Sequence, residues 1–255
     1  MDLPRNGFKR ALAEGRPQIG LWCTLPGGYV AEVLAGAGFD WLLFDTEHSP
    51  SDPITVLEQL RAAAAYPVAC VVRAAWNDAV LIKRFLDVGA QTLLLPYIQD
   101  AGEARAAVEA MRYPPRGVRG VSSISRATRF GRVADYVRRA EEELCLLVQV
   151  ETAAALGEIE AIAAVDGVDG IFVGPADLAA SMGHPGAAGH PEVAAAIEDA
   201  LGRIGRAGKP AGILTPDREF ARRCLELGAV FVAVGVDTAL LAGASEELAG
   251  AFRSG

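Results

Sequence analysis

Two carboxylates near the middle of the chain, Glu151 and Asp177, are placed where they could hold a divalent metal ion. Glu151 directly follows the apolar run Leu146–Val150, and Asp177 comes shortly after the run Gly170–Val173. The carboxyl ends of parallel strands open on one rim of an α/β fold, so the two side chains are expected to converge there. A carboxylate pair with no lysine or arginine beside it in sequence suits a hard cation. The alternative is that both are solvated loop acids or helix N-caps.

Polar residues at other predicted strand ends extend this set. His48 follows a strand beside acidic residues and can serve as a general base near neutral pH. Arg73 can bind a carboxylate through two parallel hydrogen bonds, or it can form a salt bridge to Asp45 or Glu47. Gln149 lies two residues before the first of the two carboxylates, so both side chains face the same way.

Lysine is scarce in this chain, and its positions bear on the chemistry. The only lysines are Lys9, Lys83 and Lys209, and none follows the carboxyl end of a predicted strand. A Schiff-base mechanism needs a lysine at that position, so an imine-forming aldolase is disfavoured. Carboxylates, an arginine and a histidine instead favour metal-assisted enolisation of a 2-oxo acid, in which the metal polarises the carbonyl and stabilises the enolate.

The elements that must position these residues alternate between strand and helix along the whole sequence. The predicted strands are Ile19–Cys23, Trp41–Phe44, Val68–Val72, Thr92–Leu95, Leu146–Val150, Gly170–Val173, Ala211–Leu214 and Val230–Val234. Eight alternating units predict an α/β fold of the (β/α)8 TIM-barrel type, a single domain over residues 1–255. An open doubly wound sheet is the competing architecture, but nothing resembles GxGxxG after the first strand.

Three predicted helices and two further strand-end residues complete this outline. Helical patterns run over Ala153–Ala164, from near Asn77 to just before Gly89, and over Thr238–Phe252. Trp22 and Leu214 lie at the ends of the first and seventh strands and are expected to line the substrate site, because barrel active sites occupy this rim.

Composition excludes several classes of protein. The chain has 255 residues, 51% of them hydrophobic, and a formal net charge of -8, which argues against binding nucleic acid or a membrane surface. The N-terminus has no apolar signal core, and no uncharged apolar run is long enough to span a bilayer. Four widely spaced cysteines without a CxxC motif predict reduced, buried thiols and a cytoplasmic protein.

The segment between the fourth and fifth strands is unusually long and basic. It reads RYPPRGVRGVSSISRATRFGRV over 112–133 and carries six arginines, namely Arg112, Arg116, Arg119, Arg126, Arg129 and Arg132. Long loops in compact domains are commonly functional. The cluster therefore predicts either capture of an anionic substrate or an interface or solvated face.

Four motifs together resemble the HpcH/HpaI family of metal-dependent, class II pyruvate aldolases. They are WLLFDTEHSP at 41–50, PVACVVRAAWND at 67–78, LVQVET at 147–152 and GVDGIFVGPADL at 167–178, with VGVDTALLA at 234–242 in support. Within the family the chain looks most similar to 4-hydroxy-2-oxoheptanedioate aldolase. The resemblance implies reversible retro-aldol cleavage of a 4-hydroxy-2-oxo acid to pyruvate and an aldehyde such as succinate semialdehyde, in the catabolism of aromatic compounds.

The resemblance also assigns roles to individual residues. It makes Glu151 and Asp177 the ligands of Mg²⁺, Mn²⁺ or Co²⁺, and it places Gln149 and the backbone of Ala176 on the pyruvate moiety. It makes Arg73 the group that stabilises developing charge, His48 the base, and Asp87 the acid that raises the basicity of that base. Two departures are Thr46, where glycine is common, and the stretch Ser122–Thr128, one residue shorter than in the heptanedioate enzyme and close to the expected aldehyde side.

Other functions stay open at this point. Within the same family the resemblance also admits an aldolase for 2-dehydro-3-deoxyglucarate or 2-keto-3-deoxyrhamnonate. A citramalyl- or malyl-CoA lyase is disfavoured because the compact chain offers no obvious adenine or pantetheine site. A metal-free binding or regulatory barrel is the alternative without catalysis.

The expected position of Asp87 predicts an oligomer. Its helix leaves the rim and, at 1.5 Å per residue, carries Asp87 about 15 Å along the barrel axis from Arg73. Asp87 is then too far to contact His48 of its own chain, so the pairing implied by the resemblance would cross a subunit interface. The family forms hexamers built as trimers of dimers, and the apolar helix Thr238–Phe252 is expected to dock on a partner barrel as a swapped element.

Overall fold

Eight parallel strands form a closed barrel in which each strand pairs with its neighbours in sequence and β8 pairs with β1. A computed structural model describes residues 1–253. The strands are β1 Gln18–Cys23, β2 Trp41–Asp45, β3 Ala69–Arg73, β4 Thr92–Leu95, β5 Cys145–Val150, β6 Gly170–Val173, β7 Ala211–Leu214 and β8 Ala229–Val236. The (β/α)8 barrel predicted from the sequence is therefore confirmed, and each predicted strand overlaps an observed one.

The helices surround the barrel, and α1 lies across the end where the strands begin. They are α1 Gly7–Ala13, α2 Gly28–Ala35, α3 Pro53–Ala63, α4 Ala79–Asp87, α5 Ala101–Met111, α6 Tyr136–Arg139, α7 Ala153–Leu156, α8 Ile159–Ala163, α9 Pro175–Ser181, α10 Pro191–Arg206, α11 Arg218–Glu226 and α12 Asp237–Ala251. A short 3₁₀ turn, Ala140–Glu142, leads into β5.

The barrel interior is filled by side chains rather than open. Phe8 of α1 packs against the rings of Trp41 and Phe231, with ring centroids 5.7 and 6.0 Å away. Two glycines make room for these rings, because an added Cβ at Gly20 or Gly212 would lie 2.2 Å from Trp41 or Phe231 respectively. The end of the barrel where the strands begin is thus closed, and the other end is left for chemistry.

Two helices differ from the sequence-based predictions for local reasons. The single helix predicted over Ala153–Ala164 is two short helices, α7 and α8, separated at Gly157, whose type has low helix propensity. The helix predicted from near Asn77 begins at Ala79, because the Asp78 side chain accepts hydrogen bonds from the next turn and caps the helix.

The last helix does not pack on its own barrel. In α12 only Asp237 is buried, and its carboxylate accepts hydrogen bonds from the backbone N–H groups of Thr24 and Leu25. Leu240, Leu241 and Leu248 are more than half exposed. A helix with this many exposed leucines is the feature that docking on a partner barrel requires.

Two further predictions concern cysteines and membranes. Cys23, Cys145 and Cys224 are buried, Cys70 is partly buried, and all four are free thiols. Within residues 1–253, no helix combines the length and the apolar character needed to cross a bilayer.

Candidate active site

Glu151 is a buried carboxylate at the carboxyl end of β5. Only 2% of the residue is exposed, and its Oε1 accepts a hydrogen bond of 2.7 Å from the backbone N–H of Tyr97. Its Oε2 accepts one from the side-chain amide of Gln149. Burial raises the pKa of Glu151 to about 7; the hydrogen bonds from Gln149 and Tyr97 oppose this rise, and the charges of Asp177 and Glu47 add to it. A carboxylate in this position favours a nearby cation.

Asp177 reaches the same rim from the first turn of α9, which starts directly after β6. Its charge raises the pKa of both Glu151 and Glu47, so the three carboxylates lie close enough to interact. Gly174 permits this approach, because a Cβ at that position would lie 2.5 Å from Oε2 of Glu151. Both carboxylates therefore lie at the rim where the strands end, within electrostatic range of each other.

The residues at this rim fit a hard divalent cation. Oxygen ligands are what Mg²⁺ and Mn²⁺ prefer, and Glu151 and Asp177 offer carboxylate oxygens at this rim, whereas Glu47 is engaged by Arg73. The side-chain oxygen of Gln149 is buried and has no hydrogen-bond partner among residues 1–253. A buried polar atom without a partner is costly, so a bound group at this place would satisfy it.

Arg73 lies beside these acids and is held rigidly. Its Nε and Nη2 donate to the two carboxylate oxygens of Asp45 at 2.8 and 2.6 Å, and its Nη1 lies 2.7 Å from Oε2 of Glu47. Its guanidinium also sits 4.8 Å from the centroid of the Trp22 ring. The salt bridges considered from the sequence are thus both present, and they fix the planar guanidinium at the rim.

Asp45 is the anchor of this arrangement. Besides Arg73, it accepts hydrogen bonds from the indole N–H of Trp22 and the backbone N–H of Glu47. Burial opposes ionisation of Asp45, but the hydrogen bonds and charge of Arg73 outweigh it and hold the pKa below its usual value. Thr46, the departure from the family pattern, donates its hydroxyl to the backbone carbonyl of Arg73 at 2.6 Å. It therefore supports the β2–β3 end without occupying the rim.

His48 and Asp87 are not brought together within one chain. The His48 side chain is 68% exposed, with Nε2 4.0 Å from Oε1 of Glu47. Asp87 ends α4, next to the turn that leads into β4, and so lies at the opposite end of the barrel. Its carboxylate accepts a hydrogen bond of 2.7 Å from Nη2 of the buried Arg119.

The remaining predicted substrate residues lie around the same rim. Trp22 is buried, and its ring is 5.5 Å from that of Phe172. Ala176 is exposed in the first turn of α9. Leu214 lines a mostly apolar cavity of about 320 Å³ that lies beside Pro175 and between α10 and α11.

Three contributions to the site were not predicted as functional from the sequence. Asp45 and Glu47 were considered only as salt-bridge partners, yet they hold Arg73 and add a carboxylate to the rim. Tyr97 donates its backbone N–H to Glu151 from a left-handed conformation, with φ 58°. Its ring stacks on Trp76 with centroids 5.8 Å apart. A tyrosine in this conformation has no sequence signal, since glycine, asparagine and aspartate are the types that favour it.

The other two histidines form a separate cluster in the loop after α9. The rings of His184 and His190 stack with centroids 3.7 Å apart, and His184 contacts the carboxylate of Glu192 at 3.0 Å. His190 is the N-cap of α10, with its ring nitrogen accepting the backbone N–H of Glu192. Capping of α10 accounts for the position of His190.

The arginines of the basic loop over 112–133 pair with several different acids. Arg112 and Arg116 pair with Glu141 and Asp166, and Arg119 pairs with Asp87. The loop itself packs against the ends of the strands opposite Glu151, where Ala127 N–H donates to the carbonyl of Asp87. It does not contact the rim of its own chain, so capture of substrate at that rim by this loop is not observed.

The structure is a closed parallel barrel with carboxylates and a firmly held arginine at the carboxyl ends of its strands, which is the end where barrel enzymes carry their active sites. Sequence comparison matches residues 18–244 to the HpcH/HpaI aldolase/citrate lyase family. The chain belongs to the HpcH/HpaI aldolase/citrate lyase family.

Individual relatives are similar over almost their full lengths. A pyruvate aldolase of Rhizobium etli is 68% identical over 252 residues, covering 99% of both chains. A 4-hydroxy-2-oxo-heptane-1,7-dioate aldolase of Klebsiella pneumoniae is 60% identical, covering 97% of this chain and 94% of that one. The crystal structure of an HpcH/HpaI aldolase/citrate lyase family protein from Burkholderia cenocepacia has a TM-score of 0.93 at 42% identity, covering 98% of this chain and all of the other.

Proposed function

We propose that this chain is a divalent-metal-dependent pyruvate aldolase, a carbon–carbon lyase that cleaves 4-hydroxy-2-oxo acids reversibly to pyruvate and an aldehyde. The observation that carries the proposal is the buried carboxylate of Glu151, which interacts electrostatically with Asp177 and lies beside the unpartnered amide oxygen of Gln149. The names of the Rhizobium and Klebsiella relatives support the reaction class. The 4-hydroxy-2-oxoheptanedioate substrate rests on the Klebsiella relative and is the finer part of the proposal.

Glu151 and Asp177 would hold the cation, with Mg²⁺, Mn²⁺ or Co²⁺ all compatible with an oxygen site. When bound, the cation would act as a Lewis acid on the 2-oxo group. Gln149 and the first turn of α9, at Ala176, would orient the pyruvate moiety.

The other groups at the rim would manage charge and protons. His48 would remove the proton from the C4 hydroxyl, after which the C3–C4 bond breaks, the aldehyde leaves and the electron pair passes into the pyruvate enolate. Arg73 would stabilise the developing negative charge. Its double hydrogen bond to Asp45 already orders the guanidinium, so no further ordering is needed during the reaction. The proton taken up by His48 is then delivered to C3, directly or through water, which completes pyruvate.

The apolar groups of the rim would shape the aldehyde side. Trp22 and Leu214 would line the substrate, and the cavity beside Leu214 offers space for an aldehyde chain.

We further propose that the active protein is an oligomer, a hexamer arranged as a trimer of dimers. Two observations support shared sites: α12 leaves its leucines exposed, and Asp87 lies at the end of the barrel opposite His48. Asp87 would then pair with His48 of the partner subunit and raise the basicity of that histidine. Arg119 would hold the carboxylate of Asp87 in place.

A substrate panel tests the proposal. Metal-free protein, prepared with a chelator, is supplied with Mg²⁺, Mn²⁺ or Co²⁺ and assayed for pyruvate release from 4-hydroxy-2-oxo acids of different chain lengths and from 2-dehydro-3-deoxy sugar acids. We expect release only after a metal is restored, with the heptanedioate substrate among the best. Full turnover without metal, or no pyruvate from any of these acids, would overturn the proposal.

A further inference from the structure

A cavity rich in arginine lies at the end of the barrel opposite Glu151. Its volume is about 460 Å³, and its walls come from residues before or at the starts of β1, β2, β3 and β4. Four arginines line it, Arg5, Arg16, Arg126 and Arg129, against a single carboxylate, Asp40. In a protein with a net charge of -8, this concentration of positive charge is a local exception.

Three of the four arginines of this cavity have no ion-pair partner among residues 1–253. Among residues 1–253, no carboxylate lies within 4.0 Å of the guanidinium groups of Arg5, Arg126 or Arg129, and the exposed Arg16 contacts only Glu14, at 3.7 Å. Burial lowers the pKa of Arg126, and the charges of Arg129 and Arg61 lower it further. Like charges held together in this way repel each other, and a bound anion would relieve that repulsion.

The loop that supplies two of these arginines is built to hold them there. The hydroxyl of the buried Thr128 accepts hydrogen bonds from the backbone N–H groups of Ser125 and Gly131. Arg126 donates to the backbone carbonyl of Val88 at 2.9 Å, which anchors the loop to the end of α4. Arg129 has a left-handed backbone, with φ 51°. Such conformations are unfavourable for side chains with a Cβ, and they concentrate at functional positions.

We propose that this cavity binds a small anion carrying two or more negative charges, with a phosphate ester as the first candidate. Guanidinium groups bind phosphate and carboxylate oxygens through paired hydrogen bonds, so the shared chemistry is a compact multivalent anion. The volume suits a small metabolite rather than a polymer. Because the cavity lies at the end of the barrel opposite Glu151, its ligand would not occupy the rim of its own chain.

Calorimetric titration of the metal-loaded protein at constant ionic strength tests the proposal. The probes are glycerol 3-phosphate, inorganic phosphate and the tricarboxylate tricarballylate, and the variant is Arg5→Gln/Arg129→Gln, which alters two exposed residues. The matched control, Arg206→Gln/Arg222→Gln, removes the same charge from exposed positions on α10 and α11. We expect saturable binding to the wild type and the control, and binding about tenfold weaker or worse in the cavity variant.

The probes and one further variant separate the possible outcomes. Tighter binding of the phosphates supports a phosphate-ester ligand, whereas tighter binding of tricarballylate, lost in the cavity variant, supports the same site with a carboxylate ligand. An unchanged ligand-free melting temperature in the cavity variant shows that loss of binding is not loss of the fold. The proposal is overturned if no probe binds saturably, or if binding survives in the cavity variant and disappears in Arg73→Gln.

Discussion

Glu151 combines burial with two hydrogen bonds and two neighbouring carboxylates, and this combination makes it sensitive to a cation. We predict that Glu151→Gln and Asp177→Asn each weaken metal binding on the order of 100-fold or more and remove aldolase activity, because each deletes a charge from the proposed cation site. Metal titration of the chelator-treated variants checks affinity, and circular dichroism checks the fold. Glu109→Gln, an exposed acid on α5, is the control. Wild-type metal affinity in Glu151→Gln would remove Glu151 from the cation site.

The raised pKa of Glu151 gives a stability prediction for the metal-free protein. The ordinary value of 4.5 applies in the unfolded chain, whereas the folded value is about 7. Between these values the unfolded state releases the proton and the folded state keeps it, so the stability of the metal-free protein falls as pH rises from 4.5 to 7. The rise in the pKa of Glu151 from 4.5 to about 7 corresponds to roughly 3 kcal/mol of lost stability above pH 7.

Urea unfolding of metal-free protein measures this effect. Metal-free Glu151→Gln is expected to be more stable than metal-free wild type at pH 8, with the difference shrinking towards pH 5. Glu109→Gln should show no such trend. An equal difference at both pH values would mean that the carboxylate of Glu151 ionises normally in the folded protein.

A substitution at Arg73 can separate the contribution of its positive charge to catalysis from the contribution of its planar geometry. Arg73→Lys keeps the positive charge but cannot form the planar double hydrogen bond with Asp45. We predict a loss in kcat/KM on the order of 100-fold, the scale expected when an oriented donor is removed from an anionic transition state. Near-normal kcat/KM in steady-state assays would make Arg73 a structural residue only.

At the scale of elements, the regular parts of the fold were predictable, and the reasons are local. Short apolar runs bounded by turn residues indicated all eight strands, and β4, β6 and β7 have the predicted bounds. The prediction of a single helix after β5 was wrong, because Gly157 divides this segment into α7 and α8. The placement of Glu151 and Asp177 on one rim was predictable because each residue follows a parallel strand.

Contacts that depend on irregular backbone could not be predicted. Tyr97 donates to Glu151 only because its backbone is left-handed, and no residue pattern indicates this. Arg119 reaches Asp87 from a loop 32 residues away in sequence. Both contacts are set by tertiary packing, which residue types and spacing do not encode.

The exposed helix α12 carries a prediction about assembly. If its leucines dock on a partner barrel, Leu240→Asn/Leu241→Asn should lower the oligomer mass, because it removes apolar surface from the interface. Light scattering after size-exclusion chromatography measures the mass. Thr238→Asn/Ser245→Asn, on the same helix, is the control. An unchanged mass in the leucine variant would show that these two side chains do not stabilise the assembly.

At the scale of the whole molecule, the position of Asp87 predicts that active sites are shared between subunits. Inactive His48→Ala and Asp87→Ala chains, unfolded together and reassembled, should regain part of the activity, because some sites then combine both intact residues. Each variant reassembled alone is the control. If verified hybrids stay inactive, Asp87 does not serve His48 of the partner subunit.

If this rim forms the enolate of pyruvate with the help of a cation, the methyl protons of pyruvate should exchange with solvent. This exchange can be measured without knowledge of the aldehyde. Pyruvate in D₂O is incubated with the protein, and loss of its methyl signal is followed by proton NMR. We predict rapid exchange with metal-restored wild type and the Glu109→Gln control, and only background exchange with chelator-treated protein or Glu151→Gln. Equal exchange in the metal-free protein, or no exchange in the metal-restored wild type, would contradict cation-assisted formation of the pyruvate enolate at this rim.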